Sequence, residues 1–141
     1  MLIQTYYPEH EIIGDAARQD YRGFFDREIV SRKELVYPPF SRIVNFVLAG
    51  TDESKLEREA HGFRDRMAEL IGNEKLDAQM LGPAPCPIYR LRGRYRRHLF
   101  VKTKHIVKLV RSLTQWESRE PRFRLPSSIR LTVDVDPDDM M

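Results

Sequence analysis

The sequence is poor in features that would fix a chemistry at a glance. It has one cysteine, Cys86, in 141 residues. A single thiol can neither close an internal disulfide nor supply a cysteine-rich zinc site, which favours a reducing compartment. Set between prolines, Cys86 reads as a buried, inert thiol rather than a nucleophile. No run of eighteen apolar residues occurs, and Met1-Leu2-Ile3-Gln4 lacks the basic start and apolar stretch of a secretory signal, so neither membrane spanning nor export is expected. There is no G-x-x-x-x-G-K-[ST] phosphate loop and no G-x-G-x-x-G run, which argues against an autonomous nucleotide hydrolase or dinucleotide enzyme. His10, His61, His98 and His105 show no metal-ligand spacing, and His61 reads as ordinary helix surface. The most telling deficit is of acids: residues 78 to 116 contain none.

In those 39 residues stand nine cations, Arg90, Arg92, Arg94, Arg96, Arg97, Lys102, Lys104, Lys108 and Arg111. The segments on either side carry net charges of −4 and −2, so the overall +3 conceals a strongly basic centre. Such segregation points to an anion-binding face for nucleic acid or an acidic partner. The alternative is a solvated face whose counter-charges come from elsewhere in the fold or from a partner. With 41% apolar residues and mixed charge, the chain is a folded globular one that needs neither disulfide nor metal for stability.

The first 35 or so residues read as helical. Pro8 and Glu9 suit a helix start. Apolar residues from Ile12 to Leu35 recur at three- and four-residue steps, weakened at Gly14 and Gly23, which gives one broken helix or two short ones. Tyr37-Pro38-Pro39-Phe40 stops the pattern and marks a domain boundary, because proline removes a donor and pushes its predecessor out of the helical region. Beyond it, Arg42 to Ala49 alternates as a strand with Val44, Phe46 and Leu48 on one side. Thr51 or Asp52 caps a helix with a stripe of Leu56, Ala60, Phe63, Met67 and Leu70 or Ile71. Leu76 to Leu81 is a short second strand, and Gly82-Pro83-Ala84-Pro85-Cys86-Pro87 a stiff extended connector. Arg97 to Thr103 is a third strand, Lys104 to about Trp116 a helix, and Ser128 to Val135 a fourth strand. The order β-α-β-β-α-β is the split, ferredoxin-like α+β arrangement, with two helices on one face of an antiparallel sheet and the other face open.

Counting by twos along the third strand sends Arg97, Leu99 and Val101 one way and Arg96, His98, Phe100 and Lys102 the other. The second set offers cations, an imidazole and a ring on the open face, a combination suited to phosphates and base stacking. The alternative is that Phe100 covers the sheet against a neighbouring domain and the arginines rim that contact. On the second helix Lys104, Lys108, Arg111 and Gln115 form a stripe able to hold an acidic peptide as readily as a phosphate chain. Asp134 and Asp136 stand two apart at a strand end, a spacing open to a divalent cation but more often solvent-facing or paired with arginine.

Several motifs together resemble one family. They are Leu2-Ile3-Gln4-Thr5-Tyr6 with Pro8-Glu9-His10, Asp20-Tyr21, Phe24-Phe25, Glu28, Arg32, Tyr37-Pro38-Pro39-Phe40, Leu81-Gly82-Pro83-Ala84-Pro85, Arg92-Gly93-Arg94-Tyr95-Arg96 and Asp134-Val135-Asp136-Pro137. In this order they are similar to the end of the PriA family, the bacterial primosomal replication-restart helicases also called primosomal protein N′. The resemblance implies that residues 1–36 are a helical remnant of the second helicase lobe, and 37–141 a C-terminal α+β domain similar in fold to a small-subunit ribosomal protein. It implies binding of single-stranded or branched DNA, docking of the acidic tail of single-stranded-DNA-binding protein, and contact with the rest of the helicase and other primosome proteins in the bacterial cytoplasm, at nucleoid replication forks. ATP, magnesium and zinc belong by the same resemblance to the parent 3′-to-5′ helicase. This chain then reads as an excised or truncated piece without catalytic residues, cofactor or metal of its own.

On that reading Arg90, Arg92, Arg94, Arg96, Arg97 and Lys102 contact phosphates, Tyr95 and Phe100 stack on bases, and Lys104, Lys108 and Arg111 hold backbone or an acidic tail. The rival from another class is a protein-interaction module that docks an acidic peptide or the helicase lobes with little DNA affinity. A ribosomal-type RNA binder is a third possibility.

Overall fold

The computed structural model describes residues 3–119, 121 and 124–137; Leu2 of the N-terminal motif lies outside the described residues. The chain divides into two compact units, Met1–Phe40 and Ser41–Met141.

The first unit holds two helices, α1 (Glu11–Arg18) and α2 (Tyr21–Glu34). The first begins at Glu11 rather than at Pro8, because His10 is the cap: its Nδ1 accepts the Ile12 N–H at 3.3 Å. The break between the helices has a local cause. Gln19 takes a left-handed conformation (φ 56°), and Asp20 then caps α2 by accepting the Gly23 N–H at 2.9 Å. The buried Asp15 carboxylate of α1 pairs with Arg18 and with Arg27 of α2, joining the two helices. Arg32 bonds Glu28 at 2.7 Å and the Pro38 carbonyl at 3.1 Å, which ties the proline stop to the end of α2.

The second unit runs β1 (Arg42–Gly50), α3 (Glu53–Asn73), β2 (Ala78–Leu91), β3 (Arg94–Thr103), α4 (Ile106–Arg119) and β4 (Ile129–Val135). Its strands form an antiparallel sheet in the order β2-β3-β1-β4 with both helices on one face, the ferredoxin-like α+β arrangement. Asp52 is the cap of α3, accepting the Lys55 N–H at 2.8 Å. The α3 stripe buries Leu56, Ala60, Phe63, Met67 and Leu70 against Val44, Phe46 and Leu48 of β1 and Leu99 and Val101 of β3. Phe46 and Phe63 meet with ring centroids 5.6 Å apart. Each fully buried side chain of this size contributes roughly 1.5–3 kcal/mol.

The proline-rich segment differs from expectation. It is not a connector but the middle of β2, which continues to Leu91, and β3 accordingly starts at Arg94 rather than Arg97. Proline is tolerated because β2 is an edge strand, with a ladder partner on one side only. The cost is two register shifts, between Leu81 and Ala84 and between Pro85 and Arg90. At the first shift Gly82 has φ +105°, and a Cβ there would lie 2.7 Å from the His98 carbonyl oxygen. The hairpin closes on Arg92 and Gly93, both at positive φ (49° and 77°), as a tight two-residue turn requires.

Gly82→Ala is therefore expected to lower stability by roughly 1–3 kcal/mol, from the left-handed strain and the carbonyl clash. Gly72→Ala, in α3 with open space around its Cβ, is expected to raise stability by up to about 1 kcal/mol. Urea midpoints of the two variants check both signs.

Candidate nucleic-acid interface

The alternation of β3 sorts its side chains into two sets. Arg97, Leu99, Val101 and Thr103 are buried beneath the helices, while Arg96, His98, Phe100 and Lys102 stand half-buried on the open face. The register places each outward residue on a rung. Lys102 lies between Gln79 of β2 and Ile43 of β1; Phe100 lies between Leu81 and Asn45; His98 lies between Ala84 and Val47; Arg96 lies beside Ala49. The His98 and Phe100 rings touch, with centroids 4.6 Å apart. Leu81, 61% exposed, extends this apolar patch onto the edge strand. The result is an aromatic and aliphatic platform with a cation at each end, the geometry that base stacking with flanking phosphates calls for. Burial, with help from Arg96, holds the His98 imidazole below its usual pKa, so the platform centre is neutral near pH 7.

Beyond the end of β1, whose pairing with β3 stops at Gly50 and Tyr95, the β2–β3 hairpin continues as a two-stranded arm. It carries Arg90, Arg92 and Arg94, all exposed, together with exposed Tyr89 and Leu91. Among the described residues no carboxylate pairs with these three arginines or with Arg96. Arg96 instead reaches the Ile88 carbonyl at 3.5 Å.

Two expected contacts do not belong to this surface. Arg97 points into the helix layer, where it is 7% exposed; its Nε donates to Glu57 at 2.5 Å and a terminal nitrogen to Glu53 at 3.1 Å. Burial alone would pull its pKa down, but the hydrogen bonds to Glu57 and Glu53 outweigh it and keep the guanidinium charged. A cation so enclosed and already neutralised does not reach a phosphate. Tyr95 has the same parity as Arg97. It packs against the core, with the Tyr89 ring 5.9 Å away and the Arg90 guanidinium 5.0 Å above its ring. Tyr95 and Phe100 thus leave β3 on opposite faces and cannot stack on one strand of bases.

The other basic group is separated from the open face by the sheet itself. Lys104, His105, Ile106, Val107, Lys108 and Arg111 line a cavity of about 360 Å³ at the start of α4, on the helix side. Lys108 donates to the Glu74 carbonyl at the end of α3 (2.7 Å), while exposed Val107 gives the cavity an apolar lip. The run of nine cations therefore becomes an open-face row with its hairpin arm, a helix-side group, and one buried arginine.

The remaining candidates have ordinary roles. Asp136 pairs with Arg42 and accepts the Ile43 N–H at 3.0 Å. No group of three or more His, Cys, Asp or Glu side chains suited to a metal occurs among the described residues. Cys86 is buried, and burial raises its thiol pKa against the opposing pull of Arg96 and Arg97. His61 pairs with Glu57 at 3.2 Å. Tyr89 and Leu91 were not legible as surface residues of this arm, because β2 was expected to end at Leu81; the alternation of Arg90, Arg92 and Arg94 was the signal that the strand pairing continues.

The family model of the Primosomal protein N C-terminal domain matches residues 33–138. Among curated proteins the chain is similar to Replication restart protein PriA of Synechocystis sp., 32% identical over 137 residues, covering 97% of this chain and 16% of the relative. It is also similar to the protein of that name from Chlamydia muridarum, 32% identical over 139 residues and covering 97% of this chain and 17% of the relative. The Thermotoga maritima protein of that name is 33% identical over 112 residues, 79% of this chain and 14% of the relative. The chain thus spans about a sixth of the length of these relatives.

The Arg97 cluster makes a pH-dependent prediction. Hydrogen bonding from Arg97 holds Glu57 below its ordinary value of 4.5 against the raising effect of burial. The stabilisation it gives is present above that value and is lost as pH falls through the lower folded-state pKa. Glu57→Gln is expected to flatten this acid limb and to cost about 1 kcal/mol at neutral pH, since the carboxylate is partly solvated. The Glu53→Gln/Glu57→Gln double variant strands a buried guanidinium and is expected to cost roughly 3 kcal/mol. Denaturation midpoints between pH 3 and pH 7 measure both effects.

Proposed function

Because this chain belongs to the family of the primosomal protein N C-terminal domain, the C-terminal domain of bacterial replication restart proteins, we propose that it binds single-stranded or branched DNA on the open face of its sheet and performs no catalysis itself. One observation carries this reading: Arg96, His98, Phe100 and Lys102 share one face of β3, with exposed Arg94 of the hairpin arm at the same parity. Phosphates would run along Arg92, Arg94, Arg96 and Lys102, and bases would stack on Phe100 beside His98. Such a surface reads backbone and ring faces rather than base edges, which suits a protein that must act at forks of any sequence.

The parent activity follows the family. In this reading the domain serves an ATP-dependent 3′-to-5′ helicase in replication restart and primosome assembly, and ATP, magnesium and zinc bind to the parent rather than here. Exposed Tyr21, Phe25, Val30 and Leu35 in the first unit support the assignment of residues 1–36 to a larger helicase lobe, because such apolar exposure is costly without a cover. A second reading applies to a different surface. Lys104, Lys108 and Arg111 around an apolar lip suit an acidic peptide, and by the family resemblance the acidic tail of single-stranded-DNA-binding protein is the candidate.

Four phosphate contacts on a single strand predict a salt slope near −2.8, so a fourfold rise in salt from about 50 mM should weaken binding roughly fifty-fold. Arg92→Ala/Arg94→Ala/Arg96→Ala should weaken oligonucleotides of all sequences alike and reduce that slope by about two. Phe100→Ala should cost about 1–3 kcal/mol with the slope unchanged. Titration of a labelled oligonucleotide reads all three, and a salt-independent affinity overturns the phosphate assignment. Lys104→Ala/Arg111→Ala should leave DNA binding intact and weaken an acidic-tail peptide. A preference for RNA of the same sequence would favour the ribosomal-type alternative.

A further inference from the structure

The two edges of the sheet are built differently. On β2, three prolines and two register shifts interrupt the free edge, the usual protection against pairing with another chain. On β4 there is no such device: Ile129–Val135 contains no proline and pairs with β1 in unbroken register. The Asp136 N–H donates to the Ile43 carbonyl at 2.7 Å, so the even-numbered residues of β4 bond inward to β1. The backbone groups of Leu131, Val133 and Val135 then point away from the sheet.

The side chains at this edge are also uncovered. Val133 and Val135 lie on the helix-facing side of β4, yet are 44% and 42% exposed. Next to them, α4 adds an apolar flank. The helix α3 contacts β1, β2 and β3 whereas α4 contacts β1, which puts α4 toward β4. Lys108 of α4 reaches Glu74 of α3, so the basic stripe is on the α3 side. Val110, 40% exposed, falls on the other flank by helical spacing. An unprotected edge strand thus borders an exposed apolar patch.

We propose that this edge binds a second copy of the chain, with two β4 strands antiparallel about a two-fold axis at Thr132. The occupant follows from the strand's own sequence. Centred on Thr132, the pairing sets Arg130 of each copy against Asp134 of the other, Leu131 against Val133 and Ile129 against Val135. Both charges are exposed, and neither has an ion-pair partner among the described residues. The same register matches the backbone at its central rungs, Leu131 against Val133, whose groups face outward; the outer Ile129–Val135 rung adds side-chain contact, since the Ile129 N–H is already donated to the Pro126 carbonyl at 2.8 Å. Charge, apolar pairing and backbone phase all select one isologous contact. Lys108 of α4 is turned away from the dyad toward α3, and the platform on β3 stays uncovered.

Sedimentation equilibrium of the full 141-residue chain without DNA tests the contact. The expected result is a monomer–dimer equilibrium that Arg130→Asp or Asp134→Arg alone weakens roughly tenfold, as opposite-charge rungs become like-charge ones. The Arg130→Asp/Asp134→Arg double variant should restore it. A chain that stays monomeric at millimolar concentration overturns the proposal, as does a dimer indifferent to the single reversals or not rescued by the double one. Should a reversal impair folding, hydrogen exchange of the unaltered chain decides: the Leu131 and Val133 amides should exchange more slowly as concentration rises, and equal rates overturn the proposal.

Discussion

A strand sends successive side chains to opposite faces, and β3 applies that rule to the most basic stretch of the chain. The consequence falls on Arg97. Its neighbours by parity are Leu99 and Val101, so it enters the helix layer, where an unpaired guanidinium would be prohibitive. Glu53 and Glu57, one turn apart on α3, meet that demand from the same side of the helix. This ion pair sets which face of α3 meets the sheet at its basic end, and it commits Arg96, His98, Phe100 and Lys102 to the opposite surface. Moving the register by one residue would bury Phe100 in exchange for Leu99 and take Arg97 away from both carboxylates.

The charge segregation therefore has two physical components. Part of it is internal: acids from the N-terminal half of the fold neutralise a cation from the basic run across the α3–β3 contact. The rest divides between the hairpin arm with the open face, where no carboxylate among the described residues pairs with Arg90, Arg92, Arg94 or Arg96, and the start of α4. These two surfaces look in different directions. A continuous phosphate chain engaging both would have to pass around an edge of the sheet, whereas two ligands could occupy them at once. The proposed division of labour between DNA and an acidic peptide then needs no competition between them.

Much of this fold was legible because periodicity and burial coincide. The α3 stripe, the alternation of β1 and the element order all follow from apolar spacing, and the structure keeps them. The parity of β3 was equally legible and already separated Phe100 from Arg97. What spacing could not supply was the partner of Arg97, since Glu53 and Glu57 lie 44 and 40 residues away in sequence. Nor could it show that Tyr95 belongs with Arg97, because the strand was read as beginning later. The proline segment misled for a related reason: its extended conformation suits both a connector and an edge strand, and only the pairing of Ala84 with His98 and of Arg90 with Tyr95 distinguishes them. Likewise the break after Arg18 depends on one left-handed residue and the Asp20 cap, features weaker in sequence than the glycines on either side.

The contrast between the sheet edges bears on how the platform stays available. A flat, half-apolar sheet face with an aromatic centre risks being covered by whatever pairs with the nearer edge. Here the edge beside the platform is β2, broken by prolines, shifted in register and continued into a charged arm that a pairing strand would have to desolvate. The edge able to accept a strand is β4, two strands away from β3 on the far side of β1. Its outward row alternates Arg130 and Asp134 around Thr132 rather than continuing the positive field. With the pairing-competent edge where the surface charge is mixed and the protected edge where it is positive, the proposed self-association and the proposed anion binding can share one sheet without either occluding the other.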